Sequence, residues 1–162
     1  MKKITFILLA FIGTTAFAQE GVTATNQASA DIVSPITISE STDLVFGKVA
    51  NNAAGNVIVG TDNSVSGTAT RVGGTTPTAA EFTVNAALGY GYTVTLPTDN
   101  EITLTNQTTT GSSMLVNNIV HNSDKVGDGA DETFQVGGTL TLAADQVVGN
   151  YTGSLPITVA YE

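Results

Sequence analysis

The chain has 162 residues, of which 41% are hydrophobic and 12% are charged, and its 14 Asp and Glu residues outnumber its five Lys and Arg residues for a net charge of −9. A chain this acidic repels nucleic-acid phosphates and anionic membrane surfaces, so neither is expected as a partner. The sequence has no cysteine, which excludes disulfide bonds, thiol nucleophiles and lipid attachment through a cysteine.

The first 18 residues have the pattern of a secretory signal peptide. A cationic "MKK" precedes the apolar run "ITFILLAFI", and "AFA" supplies small residues for cleavage after Ala18. The apolar run is too short to span a membrane. We therefore expect an exported chain of residues 19–162, folded as one domain without a membrane span, in which three basic residues face 14 acidic ones for a net charge of −11.

Short runs rich in Val, Ile, Thr, Phe and Tyr follow one another along the exported chain, separated by Gly, Asn, Asp and Pro. Runs of this kind are typical of β-strands bounded by turns. In chain order, the predicted strands are Val22–Ile32, Ile36–Ser39, Leu44–Val49, Asn56–Val59, Ser66–Val72, Glu81–Ala86, Tyr90–Leu96, Glu101–Leu104, Ser113–Ile119, Thr133–Val136, Thr139–Leu142 and Tyr151–Tyr161.

The closely spaced turn signals predict an all-β fold with two packed sheets, an immunoglobulin-like β-sandwich. No stretch shows a convincing helical stripe of apolar residues, and "AADQ" is expected to form one helical turn at most. The glycine pairs Gly73-Gly74 and Gly137-Gly138 are expected at turns or β-bulges.

Three long stretches resemble a known family. "SPITISESTDLVFGKV", "FTVNAALGYGYTVTLPTDNEITLTN" and "VGGTLTLAADQVVGNYTGSLPITVAYE" are similar to successive parts of the bacterial secreted family catalogued as domain of unknown function 4402. The resemblance covers nearly all of residues 19–162. It implies an exported immunoglobulin-like sandwich and no established activity.

The final stretch also resembles the last strand of chaperone–usher pilus subunits, through the positions of Gly149 and Tyr161. That resemblance implies assembly by β-augmentation, in which an incomplete sheet accepts a strand from another chain. The implied partners are the chain itself or related subunits, with a periplasmic chaperone and an outer-membrane usher. The expected assembly strand consists of Gly149, Tyr151, Gly153, Leu155, Ile157, Val159 and Tyr161, and Pro156 favours an edge position for it.

Residues 19–33 are a candidate donor arm, since they show the alternation that an inserted strand needs. The positions on one face carry mostly small side chains, and the candidate donor residues are Val22, Ala24, Ala28, Ala30 and Ile32. Because small side chains bury little apolar area, the same segment could instead be the first strand of a closed sandwich. Two functions therefore stay open: a fimbrial or cell-surface subunit that assembles by strand addition, and a self-contained secreted binding or adhesion module with an unknown ligand.

Catalysis is not expected, and no cofactor is predicted. His121 is the single histidine, and no serine lies in a G-x-S-x-G motif, so a catalytic triad would lack its usual parts. The acidic stretch "SDKVGDGADE" is a weak candidate for a calcium site, and a solvated loop is favoured because its spacing differs from an EF-hand loop. Its candidate ligands are Asp124, Asp128, Asp131 and Glu132. The N-x-[ST] matches at Asn106 and Asn150 are interpreted as coincidental.

Overall fold

The computed structural model describes residues 21–162, so the predicted signal peptide lies outside the described residues. The described chain divides into residues 21–31 and a compact unit, Ile32–Glu162. Residues 21–36 form no strand, and residues 21–35 are all exposed. The prediction of a strand over Val22–Ile32 is wrong for this chain by itself. Val22 and Ile32 are 98% and 96% exposed, and the alanines between them bury too little area to hold a strand in place.

Residues 21–162 contain twelve β-strands and no helix. In chain order they are β1 Thr37–Thr42, β2 Lys48–Val49, β3 Gly55–Val59, β4 Val65–Ser66, β5 Arg71–Val72, β6 Ala80–Asn85, β7 Tyr92–Thr95, β8 Ile102–Asn106, β9 Ser113–His121, β10 Asp131–Leu142, β11 Tyr151–Thr152 and β12 Thr158–Tyr161. The predicted all-β sandwich is confirmed, whereas "AADQ" forms a turn and not a helical turn. No helix of the described chain has the length and apolarity required to cross a membrane.

One antiparallel sheet of eight strands organises the compact unit. Its order is β1-β6-β10-β9-β8-β11, with β3 paired to β10 and β4 paired to β3. Strand β6 alternates between buried and half-buried residues, as expected for a strand with one face on the core.

Strand β10 is continuous through the glycine pair that was expected to interrupt it. Its first half pairs with β6 from Asp131 to Val136, and its second half pairs with β3 from Gly138 to Leu142. A Cβ atom on Gly137 would lie 2.3 Å from the carbonyl oxygen of Val59, so glycine is needed there because β3 approaches closely. The expected bulge is present, but the extra residue lies in the facing part of β9, where Asn118 has a positive φ of 49°.

The second layer of the sandwich is fragmentary. It contains the antiparallel pairs β7-β12 and β2-β5. The predicted single strand Tyr151–Tyr161 is divided into β11, which pairs with β8, and β12, which pairs with β7. The five residues between them form no strand and include Pro156, which cannot donate a backbone hydrogen bond to a sheet.

Two apolar clusters fill the space between the layers. The first cluster comprises Phe46, Val57, Val59, Ala79, Ile102, Val116, Leu140 and Leu142. The second comprises Ala80, Phe82, Val84, Ala86, Tyr92, Phe134 and Val136, with the rings of Phe82 and Phe134 stacked at 5.7 Å. Leu44, Ile119 and Leu155 pack against both clusters, so these three residues mark the junction between them.

Candidate functional site: an open groove over the first core cluster

A groove of about 1200 Å³ opens over the first core cluster. Its floor is apolar and consists of Ile102, Leu104, Met114, Val116, Leu140 and Leu142. Its two sides are formed by residues 43–51 and residues 146–156, which we call the first flank and the terminal flank. The groove therefore lies where the second layer of the sandwich lacks a strand.

Each flank is already paired along one edge. In the first flank, Val45 exchanges backbone hydrogen bonds with Thr78, and the amide of Ala50 donates to Thr70. In the terminal flank, β11 pairs with β8. A strand has two hydrogen-bonding edges and these pairings use one edge of each flank, and an unpaired edge can accept another strand.

The flanks run in opposite directions along the groove. At one end the side-chain amide of Asn51 donates to the carbonyl oxygen of Gln146 at 3.1 Å. At the other end Leu44 and Leu155 both pack against the two core clusters. Any strand inserted between the flanks must therefore run antiparallel to one of them and parallel to the other.

Asn106 fixes the backbone of the terminal flank, a role that the sequence did not predict. Its side chain is 8% exposed; its Nδ2 donates to Val148, and its Oδ1 accepts from the amides of Thr108 and Thr109. A Cβ on Gly149 would lie 2.4 Å from this Nδ2, which explains the glycine. The N-x-T pattern at Asn106 reflects this buried hub, and its burial agrees with the interpretation that the glycosylation match is coincidental.

Tyr151 anchors the same flank through its hydroxyl group. The hydroxyl donates to the carbonyl oxygen of Val147 at 2.6 Å and accepts from Gln146 at 2.9 Å. Ser112 lies 2.7 Å away as a third partner. These contacts tie the flank to the turn before β9, so the side of the groove is held in place by side chains.

The seven residues expected to form one assembly strand are divided between two environments. The groove is lined by Gly149, Tyr151, Gly153 and Leu155. The remaining three pack instead against the second core cluster, and they are Ile157, Val159 and Tyr161. Gly149 and Gly153 are exposed and the other five residues are half-buried. Even-numbered residues of the terminal flank, such as Thr152 and Ser154, line the groove as well, and the chain passes from the first core cluster to the second within the predicted strand.

Tyr161 connects the two ends of the compact unit. Its hydroxyl accepts a hydrogen bond from the amide of Ala87 at 2.8 Å and donates to the carbonyl oxygen of Ser34 at 2.9 Å. Its ring lies 6.0 Å from that of Tyr90 in an edge-on arrangement. In this structure the penultimate tyrosine closes the second core cluster and does not line the groove.

Charge differs between the two ends of the groove. Glu40 and Asp43 line the end marked by Leu155, and Lys48 lies on the first flank toward Asn51. A hydrogen bond shared with Asp43, together with partial burial and the like charge of that carboxyl group, raises the pKa of Glu40. The groove therefore has two carboxyl groups near one end and a lysine part-way along the first flank.

The structure distributes the acidic loop residues among different partners. Asp128 accepts from the amide of Ala130, Asp131 accepts from Asn85, and Glu132 accepts from the Tyr92 hydroxyl at 3.4 Å. Among residues 21–162, no three acidic or histidine side chains are arranged to hold a metal ion, so Asp124 and these three residues do not form one ligand set.

His121 lies at the end of β9 and is half-buried. Its Nδ1 accepts from the amide of Ser123 at 3.1 Å, and its ring contacts Phe134 edge-on. Burial, with a smaller effect from the charge of Lys125, lowers the pKa of His121. These contacts give the histidine a structural environment remote from the residues that line the groove.

Comparison with known proteins agrees with the fold and places no activity on the groove. No curated protein matches the chain. A family model described as "Domain of unknown function (DUF4402)" matches residues 36–161, which include every strand and both flanks but not the candidate donor arm. Because this match covers most of the chain, the chain belongs to the DUF4402 family.

Proposed function

We propose that the chain is an exported, non-catalytic structural subunit of a fimbria or related cell-surface structure, and that copies join by strand addition. The proposal includes export through the signal peptide of residues 1–18, handling by a periplasmic chaperone and an outer-membrane usher, and insertion of an arm into the groove. Export is tested by N-terminal sequencing of protein recovered outside the inner membrane, which should begin at Gln19; protein that retains Met1 in that fraction would contradict it.

The observation that carries the proposal is the open groove between two half-paired flanks. Its apolar floor resembles a sandwich core from which one strand has been removed, and its sides offer backbone hydrogen-bonding edges. Main-chain pairing gives affinity in β-augmentation, while alternate side chains fill pockets and fix the register. A groove with this combination is better suited to a peptide strand than to a small molecule.

The candidate donor arm has the dimensions that the groove requires. The first flank is nine residues long, from 43 to 51, or about 30 Å at about 3.3 Å per residue, and residues 22–32 extended would span about 36 Å. The arm is exposed and forms no strand, so it needs no unfolding before insertion. Burial of Val22 and Ile32 in another copy would contribute about 1.5–3 kcal/mol each.

Deletion of the arm tests the proposal. Purified chain 19–162 should form oligomers that survive detergent and dissociate on boiling, because an inserted strand makes many hydrogen bonds that must break together. A variant lacking residues 19–30 should remain folded by circular dichroism, since the arm contributes no strand, but should remain monomeric.

A matched pair of substitutions controls for chain length. Ala28→Asp places a carboxylate on the face expected to enter the groove and should abolish assembly, because an unpaired buried charge is costly. Gln27→Asp adds the same charge to the opposite face and should be tolerated. A wild-type chain that stays monomeric at high concentration, with its arm protected from proteases, would refute strand addition and favour the self-contained binding module.

A further inference from the structure

The two most exposed large apolar side chains of residues 33–162 are Leu88 and Val148, at 74% and 73%. Leu88 belongs to the turn between β6 and β7, and Val148 lies between β10 and β11 on the rim of the groove. Single exposed apolar side chains are ordinary on protein surfaces. These two residues differ from ordinary ones because they lie at opposite ends of the compact unit, beside the origin of the arm and beside the groove.

Leu88 lies close to the residue from which the arm departs. The amide of Ala87 donates to the Tyr161 hydroxyl at 2.8 Å, and the same hydroxyl donates to the carbonyl oxygen of Ser34 at 2.9 Å. The amide of Tyr90 donates to the carbonyl oxygen of Ala87, which closes the turn that carries Leu88. We call this end of the compact unit the arm end.

Val148 lies at the opposite end, which we call the far end. Residues 37–50 keep one antiparallel direction of pairing, through β1 with β6 and then β2 with β5, so Asn51 lies away from the arm end. The side chain of Asn51 donates to Gln146, two residues before Val148. The carbonyl oxygen of Val148 accepts from the buried Asn106 side chain, so its backbone is held in place.

The length of the arm brings a donor copy and an acceptor copy into contact. When residues 22–32 occupy the acceptor's groove, only Val33 separates the inserted strand from Ser34 of the donor. At about 3.3 Å per residue, Ile32 then lies within about 7 Å of Ser34. The acceptor must therefore touch the donor at the arm end, where Leu88 is exposed.

The two possible directions of insertion place different acceptor surfaces against Leu88. With the C-terminal end of the arm at the far end of the groove, Leu88 meets the rim that carries Val148. With the C-terminal end of the arm at the Leu155 end, Leu88 meets β1, in which every residue except Ile38 is polar and exposed. Because burial of apolar surface stabilises an interface, the first direction is favoured.

We propose that Leu88 of each copy packs against Val148 of the copy that receives its arm, and that this apolar contact sets the direction in which the arm enters the groove; the inference rests on the proposed function above. The arm then runs parallel to the first flank and antiparallel to the terminal flank. Hydrogen bonds hold the backbone at both residues, so the contact requires little further ordering.

A double-mutant cycle in the full exported chain, residues 19–162, tests the contact. Leu88→Ser and Val148→Ser should each raise the concentration needed for assembly about tenfold. The double variant should assemble no worse than Val148→Ser alone, because both changes remove the same contact. Val120→Ser is the matched control and should assemble like the wild type, since Val120 is 50% exposed on β9 opposite Gly137, away from both ends. Losses that multiply in the double variant, or normal assembly of Leu88→Ser, would overturn this inference.

Disulfide trapping tests the direction separately, since the chain has no cysteine of its own. A Leu88→Cys chain mixed with a Val148→Cys chain should form a crosslinked dimer under mild oxidation. A Leu88→Cys chain mixed with a Ser39→Cys chain, which places the thiol on the exposed strand β1, should not. Efficient crosslinking to Ser39→Cys would overturn this inference while leaving strand addition intact. A wild-type chain that fails to assemble would overturn both proposals.

Discussion

Replacing Tyr161 with phenylalanine should destabilise the folded chain by about 1–3 kcal/mol. The substitution keeps the ring in the second core cluster but removes the hydroxyl that accepts from Ala87 and donates to Ser34. Each hydrogen bond contributes about 0.5–1.5 kcal/mol net, and leaving a partly buried partner unpaired adds to the loss. The two bonds together give the expected range.

Urea unfolding of the variant lacking residues 19–30, which keeps Ser34 and is expected to be monomeric, measures the loss by far-ultraviolet circular dichroism. With a slope of about 2 kcal/mol per molar urea, a 2 kcal/mol loss lowers the midpoint by about 1 M. Tyr90→Phe is the matched control, because it removes the same atom from a ring that is 43% exposed, and it should change the midpoint little. Equal midpoints for the two variants would refute the view that the Tyr161 hydroxyl holds the start and end of the compact unit together.

Three further predictions concern the fold and its charges. Gly137→Ala should destabilise the folded chain by about 1–3 kcal/mol, because the new Cβ would meet the Val59 carbonyl oxygen at 2.3 Å. Gly73→Ala is the control, since no atom lies within 4 Å of its Cβ position, and thermal denaturation should show it to be neutral or slightly stabilising. Equal losses of stability in the two variants would contradict the close-approach explanation. Because the pKa of His121 is lowered in the folded state, the neutral histidine stabilises the fold fully above its unfolded pKa of about 6.5. This stabilisation declines as the pH falls below that value, by at most about 1.4 kcal/mol per pH unit. His121→Gln should flatten the decline measured by urea unfolding between about pH 7.5 and pH 5, and parallel wild-type and variant curves would contradict this. Millimolar calcium should raise the melting temperature by less than about 2 °C, since a weak site adds little stability, and a rise of about 5 °C would establish an ion site.

The parts of the fold that the sequence predicted are those in which local pattern and tertiary environment agree. Strands β3 and β6 were predicted within a residue of their bounds, because β3 is a run of β-branched residues, apolar residues alternate in β6, and one face of each strand is buried. The alternation after Tyr151 agrees with the half-buried positions of Leu155, Ile157, Val159 and Tyr161. It could not show that the chain changes sheets near Pro156, since both sheets bury the same face of the segment.

The errors occurred where a distant strand determines the local structure. Gly137 and Gly138 resemble a turn in isolation, but the approach of β3 makes them the centre of a continuous strand. Asn106 resembles an ordinary turn residue until Gly149 packs against it. The pairing of β2 with β5 joins segments more than 20 residues apart, and no local signal marks it.

The central position of β10 has a consequence for the rate of folding. This one strand pairs with β3, β6 and β9, and the β3 partners lie about 80 residues earlier in the chain. Loops of that length must close before their contacts become favourable, so we expect refolding in the range of milliseconds to seconds that is usual for sandwiches. Until residues 131–142 emerge, the earlier strands lack the partner that joins them, so the sheet cannot be completed until late in synthesis.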